Sequence, residues 1–340
     1  MLLASSITPS GAVWAESAAR KAISTAHVVD LGDFSDHPLV AEFSESFCVT
    51  GASRVSGDLA GAVASVRRTA MLLAAFDVAN SRVDPTVVVV DGSVPELVSD
   101  ACSFSALLQV SAAETPLAQR AKTMSDAVAG GDVEWIVVTP PERAAMDSVT
   151  VQVAQGCALG LSVAGVLVAP MPRKRDGWPR KIRQSARGLV DQLQDRLFDI
   201  PVQRSRAGKV PVFASREARG IEPRGAGPLS VTISPESASS SGSDGGHVLS
   251  VTIPGLQYCD VEVGVWSQDP SYPSTHIVVR LDGVIARIEL DSTLRRCVAV
   301  EAVVAGDSIA VSFRIDPGQW PERGLSSGAS DQGDEGEGEA

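Results

Sequence analysis

Several absences narrow the reading before any motif is found. The chain contains no Gly-x4-Gly-Lys-Ser/Thr. A lysine-bearing loop that cradles phosphates is therefore excluded. Its one Gly-x-Ser-x-Gly, Gly324–Gly328, falls in the polar stretch near the end of the sequence rather than between a strand and a helix, so the strained serine elbow of the α/β-hydrolases is not indicated. Its four histidines, His27, His37, His247 and His276, fall at no spacing that suits a metal or a catalytic base. Its five cysteines (Cys48, Cys102, Cys157, Cys259, Cys297) are odd in number, scattered, and form no Cys-x-x-Cys pair. Neither a zinc clip nor a disulfide framework is indicated. They read as packed thiols in a reducing compartment, and Cys157, on an apolar helix face, suits packing better than nucleophilic attack. Met1–Ile7 is too short, and lacks the basic start, for a secretory signal. The expectation is a cytoplasmic protein. A net charge of −12 argues against nucleic acid as a partner.

What is present is a length of 340 residues with 44% apolar and 21% charged residues, enough for two domains with real cores. Val133–Pro172 is the most informative stretch. Val133, Trp135, Ile136, Val137 and Val138 read as a buried strand. Thr139-Pro140-Pro141-Glu142 reads as a helix start, with Thr139 and Glu142 closing a capping box. Met146, Val149, Val153 and Cys157 recur at helical spacing, Gly160 is a stop, and Leu161–Val168 is a second buried strand. Strand, helix, strand is the unit of a parallel sheet. A membrane span competes with this reading, because Ser148–Met171 carries no charge and Arg173-Lys174-Arg175 follows. Gln152, Gln155, Ser162 and three glycines interrupt that stretch, so an integral membrane protein is not expected.

The rest of residues 1–228 repeats the alternation. Strands are expected at Leu2–Ser6, Val28–Leu31, Thr86–Val90 and Val210–Phe213. Helices are expected at Trp14–Ile23, Val55–Val78, Pro116–Val128 and Trp178–Phe198. This predicts an α/β fold, a mostly parallel sheet with helices on both faces. Residues 229–247 are serine- and glycine-rich and read as a linker. From 248 to 316 the period changes to two: Leu249, Val251 and Ile253; Val284, Ala286, Ile288 and Leu290; Ile309, Val311 and Phe313. Asp282-Gly283 and Gly306-Asp307 are hairpin turns. A small β-sandwich of about six strands is expected. Residues 317–340 are acidic, lack apolar runs, and are expected to be disordered.

Candidate chemistry sits at strand ends. Asp30, Asp33 and Asp91 lie where α/β folds place ligands. They suit magnesium coordination beside a nucleotide, or else the capping of local turns. Arg173, Lys174, Arg175, Arg180, Lys181, Arg183 and Arg187 form a basic cluster in an acidic chain. It suits an acidic partner, phosphate or a membrane surface, or is simply a solvated helix face.

The order of strands, with Val137-Val138-Thr139-Pro140-Pro141-Glu142 and then Gly165-Val166-Leu167-Val168, resembles the arsenite-pump ATPase (ArsA) family, which includes the Get-pathway targeting ATPases. The segments Leu249–Leu256, Asp260-Val261, Arg287–Leu290 and Ile309–Phe313 resemble the α-crystallin-like (small heat-shock-like) domain that ends some members. The resemblance implies a P-loop nucleoside-triphosphatase-type fold, with a phosphate loop at Thr8, Ser10, Gly11 and Ala12 and with Asp91, Pro140, Pro141 and Glu142 near nucleotide. The chain departs from that pattern. Ile7-Thr8-Pro9-Ser10-Gly11-Ala12 has one glycine and no lysine, and Pro9 removes an amide donor. Asp91-Gly92-Ser93-Val94-Pro95 keeps only the aspartate. The expectation is a degenerate, non-hydrolysing member that binds protein clients or a partner, as a homodimer or as a heterodimer with an ATPase-competent paralogue. The alternative is a working ATPase that binds ATP with Mg through a non-standard or partner-supplied loop.

Overall fold

The computed structural model describes residues 1–6, 27–41, 59–82, 86–110, 116–168, 177, 179–197, 200–204, 229–235, 246–267 and 274–316. The expected helix at Trp14–Ile23, the strand at Val210–Phe213, the loop residues Thr8, Ser10, Gly11 and Ala12, and the acidic 317–340 lie outside them.

Six strands build one sheet: β1 (Leu2–Ser6), β2 (His27–Asp30), β3 (Thr86–Asp91), β4 (Glu134–Thr139), β5 (Ser162–Val168) and β6 (Val202–Arg204). Their order is β2-β3-β1-β4-β5-β6, and every pairing is parallel. The valine-rich runs suit this, because the inner strands β3, β1, β4 and β5 are buried on both faces, while the outer β2 and β6 are half-exposed. The short β6 was not expected. Five helices follow the strands: α1 (Leu59–Asn80), α2 (Val94–Val110), α3 (Pro116–Ala129), α4 (Arg143–Ala158) and α5 (Arg180–Arg196). The connections β2→β3, β3→β4, β4→β5 and β5→β6 all step the same way across the sheet. Right-handed crossovers then put all five helices on one face. Accordingly Leu3, Val88, Val90, Trp135, Val137, Val166 and Val168 join the helices in one core cluster. The opposite face forms a second, smaller cluster of Ala4, Val87, Val89, Ile136, Val138, Ala164 and Leu167. Helices on that face, part of the expectation, have no counterpart among the described residues.

The helix start at Thr139 needs correction. Thr139 ends β4, and α4 begins at Arg143 with Glu142 as an extended N-cap that makes no side-chain cap bond. Thr139 and Pro140 each precede a proline, which keeps both out of the helical region. The stop at Gly160 is as expected. Gly160 has φ +90°, its N–H bonds to Cys157 O at 3.0 Å, and Leu161 N–H bonds to Gly156 O at 2.9 Å.

The described residues of the second half form seven strands: β7 (Ser230–Pro235), β8 (His247–Thr252), β9 (Val261–Trp266), β10 (His276–Leu281), β11 (Val284–Glu289), β12 (Cys297–Ala305) and β13 (Ser308–Ile315). They form a three-stranded sheet, β11-β10-β9, and a four-stranded sheet, β12-β13-β8-β7, both antiparallel. β7 lies in the stretch read as linker, where Val231 and Ile233 pair opposite Val251 and Leu249. Its serine content masked a period-two pattern. Asp282 and Gly283 both have positive φ and make the expected tight turn.

The two halves are not strung apart. Leu249, Val251, Ile277, Val279 and Phe313 of the sandwich belong to the same apolar cluster as the helices. Buried Gln155 of α4 donates from Nε2 to Leu281 O at 3.0 Å. Ser99 of α2 accepts from Ile285 N–H at 3.3 Å. At Gly255 (φ +82°) the sandwich comes so near α4 that a Cβ would lie 3.1 Å from Thr150 O.

Candidate functional sites

The carboxyl edge of the parallel sheet is the first candidate. β1 sits between β3 and β4, with Ser6 opposite Asp91 on one side and Val138 on the other. The chain leaves β1 one way across the sheet and β4 the other, so this is the switch point where such sheets bind ligands. Asp91 ends β3 there, while Pro140, Pro141 and Glu142 follow β4. Gly92 (φ +101°) lets the Arg68 guanidinium pack against the turn, where a Cβ would lie 3.2 Å from Nη2.

Asp30 and Asp33 cap a local turn. They close a reciprocal capping box around the short 3-10 turn Leu31–Phe34. Asp30 Oδ1 accepts from Gly32 N–H at 2.7 Å, and Asp33 Oδ2 accepts from Asp30 N–H at 3.2 Å. Two orphan amides are satisfied this way, which accounts for both carboxylates. Among the described residues no group of three His, Cys, Asp or Glu could hold a metal. Cys157 is fully buried, and burial pushes its thiol up to about 12, so it is no nucleophile near neutral pH.

The second candidate lies at the junction of the halves and has no single motif in the sequence. A cleft of about 560 Å³ is lined by Glu96, Asp147, Gln152, Arg196, Tyr258 and Asp282, among others. Arg196 Nη1 meets Asp147 Oδ1 at 2.6 Å, and its guanidinium lies 4.6 Å from the centre of the Tyr258 ring. Arg196 is thereby committed to bracing the junction. Gln152 donates from Nε2 to Ser148 Oγ at 3.4 Å, and its buried Oε1 has no partner. The described lining holds no His, Cys or Lys.

The third candidate is a sheet edge. β12 is the outer strand of the four-stranded sheet, and Glu301 is its one charged residue. Val298, Val300, Val303 and Val304 are 55%, 56%, 49% and 42% exposed. The register shifts between Ala299 and Glu301, leaving Val300 unpaired as a bulge. In the other sheet Val265, on the edge strand β9, is also exposed. Natural edges are ordinarily blunted by charge, proline or a covering element. β12 carries neither proline nor lysine. Its run of small apolar residues was readable in the sequence, but its edge position was not.

No family model matches this chain, and no curated protein matches it. No helix among the described residues is long and apolar enough to cross a membrane.

Proposed function

We propose that this chain is a protein-binding member of an ArsA-like group, with a degenerate nucleotide site and an α-crystallin-like sandwich that takes up an extended segment along β12. The observation that carries the reading is β12 itself, a nine-residue edge strand with four exposed valines. An added strand gains main-chain hydrogen bonds along such an edge and buries the valines it covers. The carboxyl edge of the parallel sheet supports the other half of the proposal. The sequence that follows β1, Ile7–Ala12, has no lysine, and Asp30 and Asp33 are engaged in caps. Without those charges the main electrostatic term for phosphoryl transfer is missing. Glu301 and the net charge of −12 favour a client segment that carries basic residues between apolar ones.

A labelled peptide of alternating valine and lysine tests this by fluorescence anisotropy. The native chain is expected to bind it. The double variant Val300→Lys, Val303→Lys is expected to weaken binding at least about tenfold, with thermal unfolding unchanged because both side chains are exposed. Equal binding by the variant would refute the edge as the site.

A further inference from the structure

We infer that the exposed face of α5 is a docking surface for anionic lipid headgroups. Residues 173–187 hold seven Lys or Arg and one Asp, in a chain whose net charge is −12. Within the described part, Arg180, Lys181 and Arg187 are exposed on the first two turns of α5 and Arg183 is half-buried. No carboxylate among the described residues lies within 4.0 Å of Arg180, Lys181 or Arg187. The opposite side of the helix, through Ala186, Val190 and Leu193, anchors it in the protein.

Folding alone does not account for this arrangement. The first turn of α5 has three cations and no acidic residue, and its N-cap Pro179 supplies no side-chain acceptor. Cations there oppose the helix dipole and repel one another. An external anion would relieve both. Ile182 is 43% exposed at the rim of the anchoring side, one turn before buried Ala186, and Trp178 lies just upstream in the sequence. A basic face bordered by an exposed isoleucine matches a charged, partly apolar bilayer surface better than a purely ionic partner. Screening confines the interaction to about 10 Å, so the acidic remainder of the protein need not oppose it.

The full chain is sedimented with vesicles of phosphatidylcholine alone, or with about one third phosphatidylserine. Binding to the mixed vesicles only, lost on raising salt, is expected. Each cation near the surface contributes about fivefold, so Arg180→Ala, Lys181→Ala, Arg187→Ala together should weaken binding about 100-fold. The variant Arg180→Lys, Arg187→Lys should preserve it, which separates charge from fold. The Val300→Lys, Val303→Lys variant should sediment as the native chain does. No sedimentation at low salt, equal binding to neutral vesicles, or an unaffected triple alanine variant would overturn the inference. So would capture by polyglutamate or duplex DNA without any binding to the mixed vesicles.

Discussion

Gly255 gives the sharpest test of how the two halves are joined. It sits at φ +82° against α4, and a Cβ there would lie 3.1 Å from both Thr150 O and Thr150 Cγ2. Gly283 has a similar φ of +92°, but a Cβ there would meet nothing within 4 Å. Alanine at either position incurs the left-handed penalty of about 1–2 kcal/mol. Only at Gly255 must a backbone oxygen also give way, adding about 1–3 kcal/mol. The continuous core predicts that both halves unfold together. For 340 residues unfolding as one unit, the melting entropy is about 0.7 kcal/mol per kelvin. Gly255→Ala should therefore lower the melting temperature by about 3–7 °C and Gly283→Ala by about 1–3 °C. Scanning calorimetry measures both. Equal shifts in the two variants would refute the close docking of the sandwich on α4.

Two further predictions concern particular side chains. Burial holds His276 below its ordinary value despite neighbouring Glu289, so the unfolded chain takes up the proton more readily. Stability from this group is present above about pH 6.5 and is lost as the pH falls below it. Melting curves between about pH 7 and 5 should show that loss, and His276→Gln should flatten it. Gly156 lies against Trp135, where a Cβ would come within 2.7 Å of Cζ3. Trp135 is pinned by its Nε1–H bond to Ser5 Oγ at 2.9 Å, so Gly156→Ala should cost about 1–3 kcal/mol in denaturant unfolding. An unchanged midpoint would mean that the indole moves freely.

The parallel sheet was legible because its inner strands are buried on both faces and read as apolar runs, whereas the half-exposed β6, Val-Gln-Arg, gave no such run. The hairpin at Asp282-Gly283 was legible because two positive φ angles demand that kind of pair. The start of α4 was misread because the capping pattern of Thr139 and Glu142 conflicts with two prolines, and the prolines prevailed. No element was expected between Asp91 and Pro116, where α2 lies. Val94, Leu97, Val98 and Ala101 of α2 are buried in one layer, but Ser99 faces the sandwich, so no single apolar stripe marks the helix. The same holds for Gln155. In the sequence it argues only against a membrane span, while in the fold it ties α4 to Leu281 O. Asp30 and Asp33 show how two readings can share one pattern. Strand-end carboxylates suit a metal or a cap, and the 2.7 Å contact to Gly32 N–H is the capping one.

Calorimetric titration with ATP and with ADP, each with magnesium, addresses the central claim most directly. The account predicts no micromolar binding and no turnover, because the loop after β1 lacks its lysine and Asp30 and Asp33 are held in caps. Micromolar binding with turnover that Asp91→Ala abolishes would contradict it, and would make the carboxyl edge of the sheet a working site.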